Sequence, residues 1–278
     1  MFPTFIIIGA MKCGTSSLYH YLSLHPQVGM SDIKEVDYFI AENNFDKGQE
    51  WYHARFEGDY EAYGEASPNY SKAHYFKRVP ERMHKLLPNI KLIYLVRDPI
   101  ERIISHYMHN YSEGREHKPI EEVLYNMKDN HYIMCSRYYW QLQHYLRYYS
   151  EVQLLVIPSY KLRDERKETL QQIFNYIGVD SSFYSSAFEE EKHQGSQKRR
   201  KGRWSRIVLE SPVIKALKGL VPDGIKEPVK KATRPPIERP TLDTDLKKRL
   251  AEKLLPGMEK LEDLSKYSLN RWSIYDYR

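Results

Sequence analysis

The segment Phe5-Ile-Ile-Ile-Gly-Ala-Met-Lys-Cys-Gly-Thr-Ser-Ser-Leu-Tyr19 constrains the fold of this chain more than any other stretch. A short apolar run ends at Gly9, a turn holding Lys12 and Gly14 follows, and a hydroxyl cluster opens an amphipathic segment. That order reads as strand, anion-cradling loop and helix N-terminus. Backbone N–H groups and the positive end of a helix dipole converge there on a phosphate, and Thr15, Ser16 and Ser17 add hydroxyl donors. A P-loop of a nucleoside triphosphatase, G-x-x-x-x-G-K-S/T, places its lysine directly after the second glycine. Gly9 and Gly14 keep the glycine spacing, but the lysine is Lys12, ahead of the second glycine, with Thr15 behind it. The displacement points to a nucleotide other than ATP or GTP.

Further runs rich in Ile, Leu and Val, with little alternation, predict strands at 91–96 and 152–157 beside the first at 5–8. Such runs suit central strands of a parallel sheet covered on both faces. Helical faces lie between them: Leu18, Tyr21 and Leu22 before Pro26; Ile100, Ile103, Ile104 and Tyr107 after Pro99; Tyr138, Leu142 and Tyr145; and Leu170, Ile173, Phe174 and Ile177 before Gly178. The alternation predicts a three-layer, P-loop-like α/β fold, a central parallel sheet flanked by helices, with the ligand at the carboxyl ends of the strands. At 278 residues the chain has room for a single large domain of this kind over 1–278. Composition turns basic and proline-rich at about 189–240, which predicts a lid or a flexible excursion. Leu246, Leu250, Leu254, Met258 and Leu261 then predict a C-terminal helix at about 241–265 that packs back on the domain.

A net charge of +6 favours an anionic ligand or surface, and the 24 tyrosines supply stacking faces with hydrogen-bonding tips. Two cysteines, Cys13 and Cys135, make no disulfide framework. No window reaches membrane-spanning length, and the N-terminal apolar run is too short for a signal peptide. A chain opening directly on its first strand fits a cytoplasmic enzyme of bacterial type; a Golgi-lumenal catalytic domain without its anchor is the alternative.

The second chemical segment is Leu95-Val-Arg-Asp-Pro-Ile-Glu-Arg-Ile-Ile-Ser-His-Tyr107. Arg97 falls at a strand end, and Ser105 follows about two helical turns later. An arginine fork plus a hydroxyl suits a second phosphate monoester, whereas a structural Arg97–Asp98 ion pair is the plain alternative. Taken together, the two segments resemble the nucleotide-binding motifs of the sulfotransferases that use PAPS, 3′-phosphoadenosine 5′-phosphosulfate. Lys12, Cys13, Gly14, Thr15, Ser16 and Ser17 match that family's 5′-phosphosulfate loop, and Arg97 and Ser105 match its 3′-phosphate motif. The resemblance is to the subgroup holding heparan sulfate sulfotransferases and many bacterial relatives. It extends to Lys34-Glu-Val-Asp-Tyr-Phe39, which is similar to K-E-x-x-F/Y-F, and to the aromatic segment from Gly48 to Tyr52 with Phe56. It also covers Glu65-Ala-Ser67, Ser136-Arg-Tyr138 and Lys201-Gly-Arg203.

The resemblance implies transfer of a sulfuryl group from PAPS to an acceptor hydroxyl or amine, with release of adenosine 3′,5′-bisphosphate (PAP) and no metal. It implies that Lys12 stabilises the leaving phosphate and that Glu35 is the general base, the alternative for Glu35 being a solvated pair with Lys34. His20, His25, His106 and His109 are competing bases. Tyr138, Lys201, Gly202 and Arg203 are expected at the nucleotide, and Lys34, Glu65 and Ser67 with Glu35 at the acceptor. Several animal members carry a lysine where this chain has Ala66, so the missing cation is expected from Lys34 or the late basic loop. That loop also reads as a solvated charge run or a heparin or nucleic-acid patch, with Lys198 to Arg200 facing solvent or an anionic acceptor. The expected partner is an anionic or hydroxylated small molecule or glycan, a carbohydrate first, then a small alcohol, lipid or polyketide intermediate; no nucleic acid is expected. A P-loop kinase and an anion-binding module are the rival classes.

Overall fold

Five parallel strands in the order β2-β3-β1-β4-β5 form the centre of the computed structural model, which describes residues 1–189 and 237–278. The strands are β1 (Phe5–Gly9), β2 (Val28–Met30), β3 (Ala62–Ala66), β4 (Lys91–Val96) and β5 (Leu154–Pro158). Phe5 to Ile8 and Leu92 to Val96 are fully buried, as continuous apolar runs require when helices cover both faces. Around the sheet lie α1 (Thr15–Leu22), α2 (Gly48–His53), α3 (Val79–Leu86), α4 (Pro99–Ser112), α5 (Ile120–Tyr125), α6 (His131–Met134) and α7 (Tyr138–Tyr145). They continue with α8 (Ser159–Asp164), α9 (Arg166–Ile177), α10 (Thr244–Leu254) and α11 (Met258–Ser265). The expected three-layer α/β architecture is the one observed.

Strand β1 pairs with β3 on one side, Ile7 opposite Ala66, and with β4 on the other, Ile7 opposite Ile93. Chain order reverses about β1, so the loops leaving β1, β3 and β4 emerge side by side at one edge, where open α/β sheets bind ligands. Backbone bonds tie them there: Ala10 N–H donates to the Leu95 carbonyl at 2.8 Å, and Ser67 N–H to the Ile7 carbonyl at 3.1 Å. Strand β2 has three residues, and β3 reads Ala-Tyr-Gly-Glu-Ala, poor in β-branched residues. Neither carries the signal that marks β1 and β4.

The helix expected over 241–265 is two helices. Pro256, lacking an N–H, and Gly257, at φ 94°, break it between α10 and α11. Asp243 caps α10 by accepting from Leu246 N–H at 2.7 Å. Leu246, Leu250, Leu254, Met258 and Leu261 are buried, so this tail packs back on the domain. The excursion expected at about 189–240 lies, for 190–236, outside the described residues.

Gly9 closes β1 at φ 154°, and a Cβ there would sit 2.3 Å from Ser71 Oγ and 2.8 Å from the Tyr94 ring. Gly9→Ala is therefore expected to cost roughly 1–3 kcal/mol through overpacking, read as a lowered urea midpoint at unchanged slope.

Candidate active site

The loop after β1 is built from residues in left-handed backbone. Lys12 has φ 71° and Gly14 φ 100°, and Cys13 N–H closes the turn on the Ala10 carbonyl at 3.1 Å. The first helical bond of α1 runs from Leu18 N–H to the Gly14 carbonyl at 3.0 Å, and no side chain caps the helix. The N–H groups of Thr15, Ser16 and Ser17 therefore stand outside the helical ladder. A Cβ built on Gly14 meets nothing within 4 Å, so the space over this helix end is open. Orphan donors, a helix dipole, Lys12 and open space together fit a phosphate or sulfate group. Cys13 contributes only backbone: its thiol is buried and pushed up to about 11 by desolvation, which removes it as a nucleophile at neutral pH.

Arg97 ends β4 and Asp98 caps α4, accepting from Ile100 N–H at 2.9 Å and Glu101 N–H at 3.2 Å, and also from Ser273 N–H. The Asp98 carboxylate is thus committed to backbone, and the alternative Arg97–Asp98 pair does not form. Arg97 reaches Glu101 at 2.9 Å, and Arg239 of the tail meets the same carboxylate. Ser105 lies four residues beyond Glu101, on the same helix face. Tyr138 is buried, and its hydroxyl donates to the Arg97 carbonyl at 2.7 Å while lying 3.7 Å from Cys13 Sγ. Expected at the nucleotide, Tyr138 here spends its hydroxyl joining the end of β4 to the turn after β1. Lys201, Gly202 and Arg203 lie outside the described residues.

At the third loop, Glu35 N–H donates to the Ala66 carbonyl at 3.1 Å, and Asp37 N–H to Ser67 Oγ at 3.1 Å. Glu35 (φ 61°) and Asp37 (φ 50°) share the left-handed backbone of Lys12, a cost of the kind that accumulates at functional sites. Lys34 and Glu35 pair at 2.7 Å and stay partly exposed. Glu65 and Ser67 are fully buried, so the expectation that they touch the acceptor is not met in this structure. Glu65 accepts from Tyr52 and Ser67 at 2.6 Å and Tyr70 at 3.1 Å, and so fastens the segment carrying Glu35 and Asp37 to the end of β3. Among the competing histidines, His25 packs between Phe174 and Phe183, His106 is buried beside Arg102, and His109 meets Arg115 at 2.8 Å.

Residues 2–215 match the family model for the sulfotransferase domain. The chain belongs to the sulfotransferase family. Human heparan sulfate glucosamine 3-O-sulfotransferase 5 is 31% identical over 192 residues, 64% of this chain and 54% of that protein. Mouse bifunctional heparan sulfate N-deacetylase/N-sulfotransferase 4 is 27% identical over 219 residues, 69% of this chain and 24% of that protein. The chain thus spans between a quarter and about half of these relatives' length. A solved sulfotransferase from Alicyclobacillus acidocaldarius shares the fold, with a TM-score of 0.69 at 21% identity over 98% of this chain and 99% of that one.

This member of the sulfotransferase family also assembles groups that sequence spacing does not reveal. Arg102 is fully buried beneath the phosphate loop, donating to Ser136 Oγ, the Tyr132 carbonyl and, at 3.5 Å, the Met11 carbonyl. No carboxylate pairs with it among the described residues, so its charge makes the surroundings of the loop positive. In sequence it is indistinguishable from an exposed helix arginine. A cleft of about 820 Å³ opens beside the loop, lined by Met11, Lys72, His74, His106, His131 and Trp140 among others. No cluster of metal-ligand spacing is visible in sequence, yet His74, His131 and Cys135 bring ligand atoms within 4.8 Å of one another here. The amide of Gln141 accepts from Ala73 N–H and donates to the Met134 carbonyl, both at 2.8 Å, so its NH₂ faces His74 Nδ1. That leaves the proton of a neutral His74 on Nε2, 2.9 Å from His131 Nδ1: a chain of imidazoles linked to each other. Burial lowers both to about 4, so they are neutral at pH 7.

Desolvation pushes the Glu65 carboxyl up to about 7 against its three hydroxyl donors. With the folded pKa raised, its stabilisation is complete below about pH 4.5 and is lost as pH rises through about 7. The stability difference between wild type and Glu65→Gln should therefore shift against wild type by on the order of 3 kcal/mol between pH 4.5 and pH 8. Urea unfolding of both proteins across that range measures it; the histidines titrate in the opposite sense in both and cancel.

Proposed function

We propose that this sulfotransferase moves the sulfuryl group of PAPS to a hydroxyl, or an amine, of a carbohydrate. The observation that carries the reading is the junction of the uncapped α1 N-terminus and Lys12 with the Arg97 strand end, locked by the Tyr138 hydroxyl. When bound, the donor supplies an activated sulfuryl group on its 5′-phosphate. The N–H groups at the start of α1 and the hydroxyls of Thr15, Ser16 and Ser17 hold the 5′ end, and Arg97 and Ser105 hold the 3′-phosphate. Lys201, Gly202 and Arg203 join that grip in this reading on the strength of the motif alone. Lys12 stabilises the charge that develops on the 5′-phosphate oxygen as its bond to sulfur breaks.

Glu35 takes the proton of the acceptor as the new oxygen–sulfur bond forms, and in doing so exchanges its Lys34 contact for the acceptor. Glu65 and Ser67 hold Glu35 in place through the Asp37 segment and do not themselves meet the acceptor. A carbohydrate acceptor is supported by the relatives named for heparan sulfate and by a cleft that joins Trp140, a stacking surface, to Lys72, Lys77 and Arg115. No described helix is long and apolar enough to cross a membrane.

Transfer from labelled PAPS to a panel of glycans and small alcohols tests the reading. Lys12→Ala should lower turnover by about 100- to 1000-fold while the melting temperature stays close to wild type, and Glu35→Gln should lose transfer yet still bind PAP. Arg97→Ala should weaken PAP binding by roughly tenfold or more in calorimetry. Failure of the wild-type protein to bind PAP at all would sink the proposal.

A further inference from the structure

Lys72 follows the short 3₁₀ turn Pro68–Ser71 that leaves β3, and it lines the cleft beside Met11 of the phosphate loop. Among the described residues its ammonium makes one hydrogen bond, donating to Asn69 Oδ1 at 2.6 Å, and no carboxylate of those residues comes within ion-pair distance. An ammonium carries three donors, so two remain for a ligand. Asn69 in turn donates to Asp37 Oδ2 at 2.8 Å, and Asn43 donates to the same oxygen at 3.2 Å. A neutral amide thus stands between the cation and the buried carboxylate, orienting both without cancelling the lysine's charge. Glu35 and Asp37 are near enough to favour its charged form, while burial lowers its pKa. Lys34, by contrast, has its ammonium engaged by Glu35 at 2.7 Å. Lys72 is therefore a half-buried cation aimed by one neutral group, next to the proposed base, at the rim of the donor loop.

We propose that Lys72 forms an oxyanion subsite on the acceptor side of the phosphate loop, taking sulfate-type oxygens from a ligand in the cleft. The proposal rests on the sulfuryl-transfer reading of this site. The oxyanion has two sources of the same chemistry, the sulfuryl group in transit and a sulfate or carboxylate already on the acceptor. In either case the bound oxygens take up the two free N–H donors, and no proton or electron is exchanged. The neutral imidazoles of His74 and His131 on the same wall add no competing charge. Ala66, at the strand end that carries the loop, leaves the cation to be supplied by Lys72, and not by Lys34.

The test uses the full chain with Lys72→Met and Lys72→Arg, reading PAP affinity, transfer to an uncharged alcohol and transfer to a sulfated glycan. PAP has no sulfuryl group, so its affinity should stay within about twofold of wild type in Lys72→Met, while transfer falls at least tenfold and Lys72→Arg recovers part of it. Equal loss in kcat with both acceptors assigns the subsite to the sulfuryl in transit. Loss confined to the sulfated glycan, and seen in KM, assigns it to the acceptor's own anion. Wild-type kinetics in Lys72→Met with both acceptors overturns the subsite, as does a fall in PAP affinity as large as the fall in transfer. If Lys72→Met does not fold, Lys72→Gln takes its place under the same criteria. Absence of PAP binding by the wild-type protein overturns the sulfuryl-transfer reading and the subsite together, whereas PAP binding with unchanged variant kinetics overturns the subsite alone.

Discussion

Parallel pairing of β1 with β4 is the constraint on which this site depends. It sets Gly9 beside Tyr94, so that the phosphate loop and the Arg97 strand end leave the sheet as neighbours. Ala10 N–H then reaches back to the Leu95 carbonyl, and Tyr138, from a third element, hydrogen bonds to the Arg97 carbonyl and touches Cys13. Buried hydrogen bonds of this kind are modest in net energy but costly to leave unmade, so they fix position more than they add stability. The Lys12 turn and the Arg97 strand end lie about ninety residues apart in sequence and share a single tyrosine hydroxyl.

Around that junction the protein distributes charge unevenly. Arg102 is buried with carbonyls and a serine hydroxyl for partners, and Lys72 is half-buried with an amide for its partner. Cations solvated by neutral dipoles keep their field, which favours an anion in the adjoining cleft. The buried carboxylates also have neutral partners. Glu65 is surrounded by hydroxyl donors and still desolvated enough to titrate near neutrality. Its place is structural, binding the end of β3 to the segment whose left-handed residues carry Glu35.

Much of this was legible along the chain. The runs at 5–8 and 91–96 are strands because uninterrupted apolar segments are buried on both faces, and Pro99 and Gly178 mark helix ends for reasons local to their backbones. The order Lys12-Cys-Gly-Thr marked the turn into α1 because backbone geometry there is set by adjacent residues. Strands β2 and β3 were harder to read. Their pairing energy comes from neighbours in the sheet, and Gly64 is needed only because the Phe5 ring packs where its Cβ would be, 2.1 Å away. The two-helix tail was present in Pro256-Gly257, but the leucine pattern ran across it.

Legible along the chain were the sheet's central strands, the turn from Gly9 to Gly14 with the helix after it, and a family likeness resting on Lys12, Arg97 and Ser105, since each depends on residues close together in the chain. Tertiary structure alone decided which polar groups are buried and what they face. It turned Tyr138, Glu65 and Ser67 inward as supports, engaged Lys34 with Glu35, and placed Arg102 and Lys72 around the loop with no carboxylate partner among the described residues. The physical reason is that the effect of a charge depends on its solvation and its neighbours, and those are assigned only when distant segments pack.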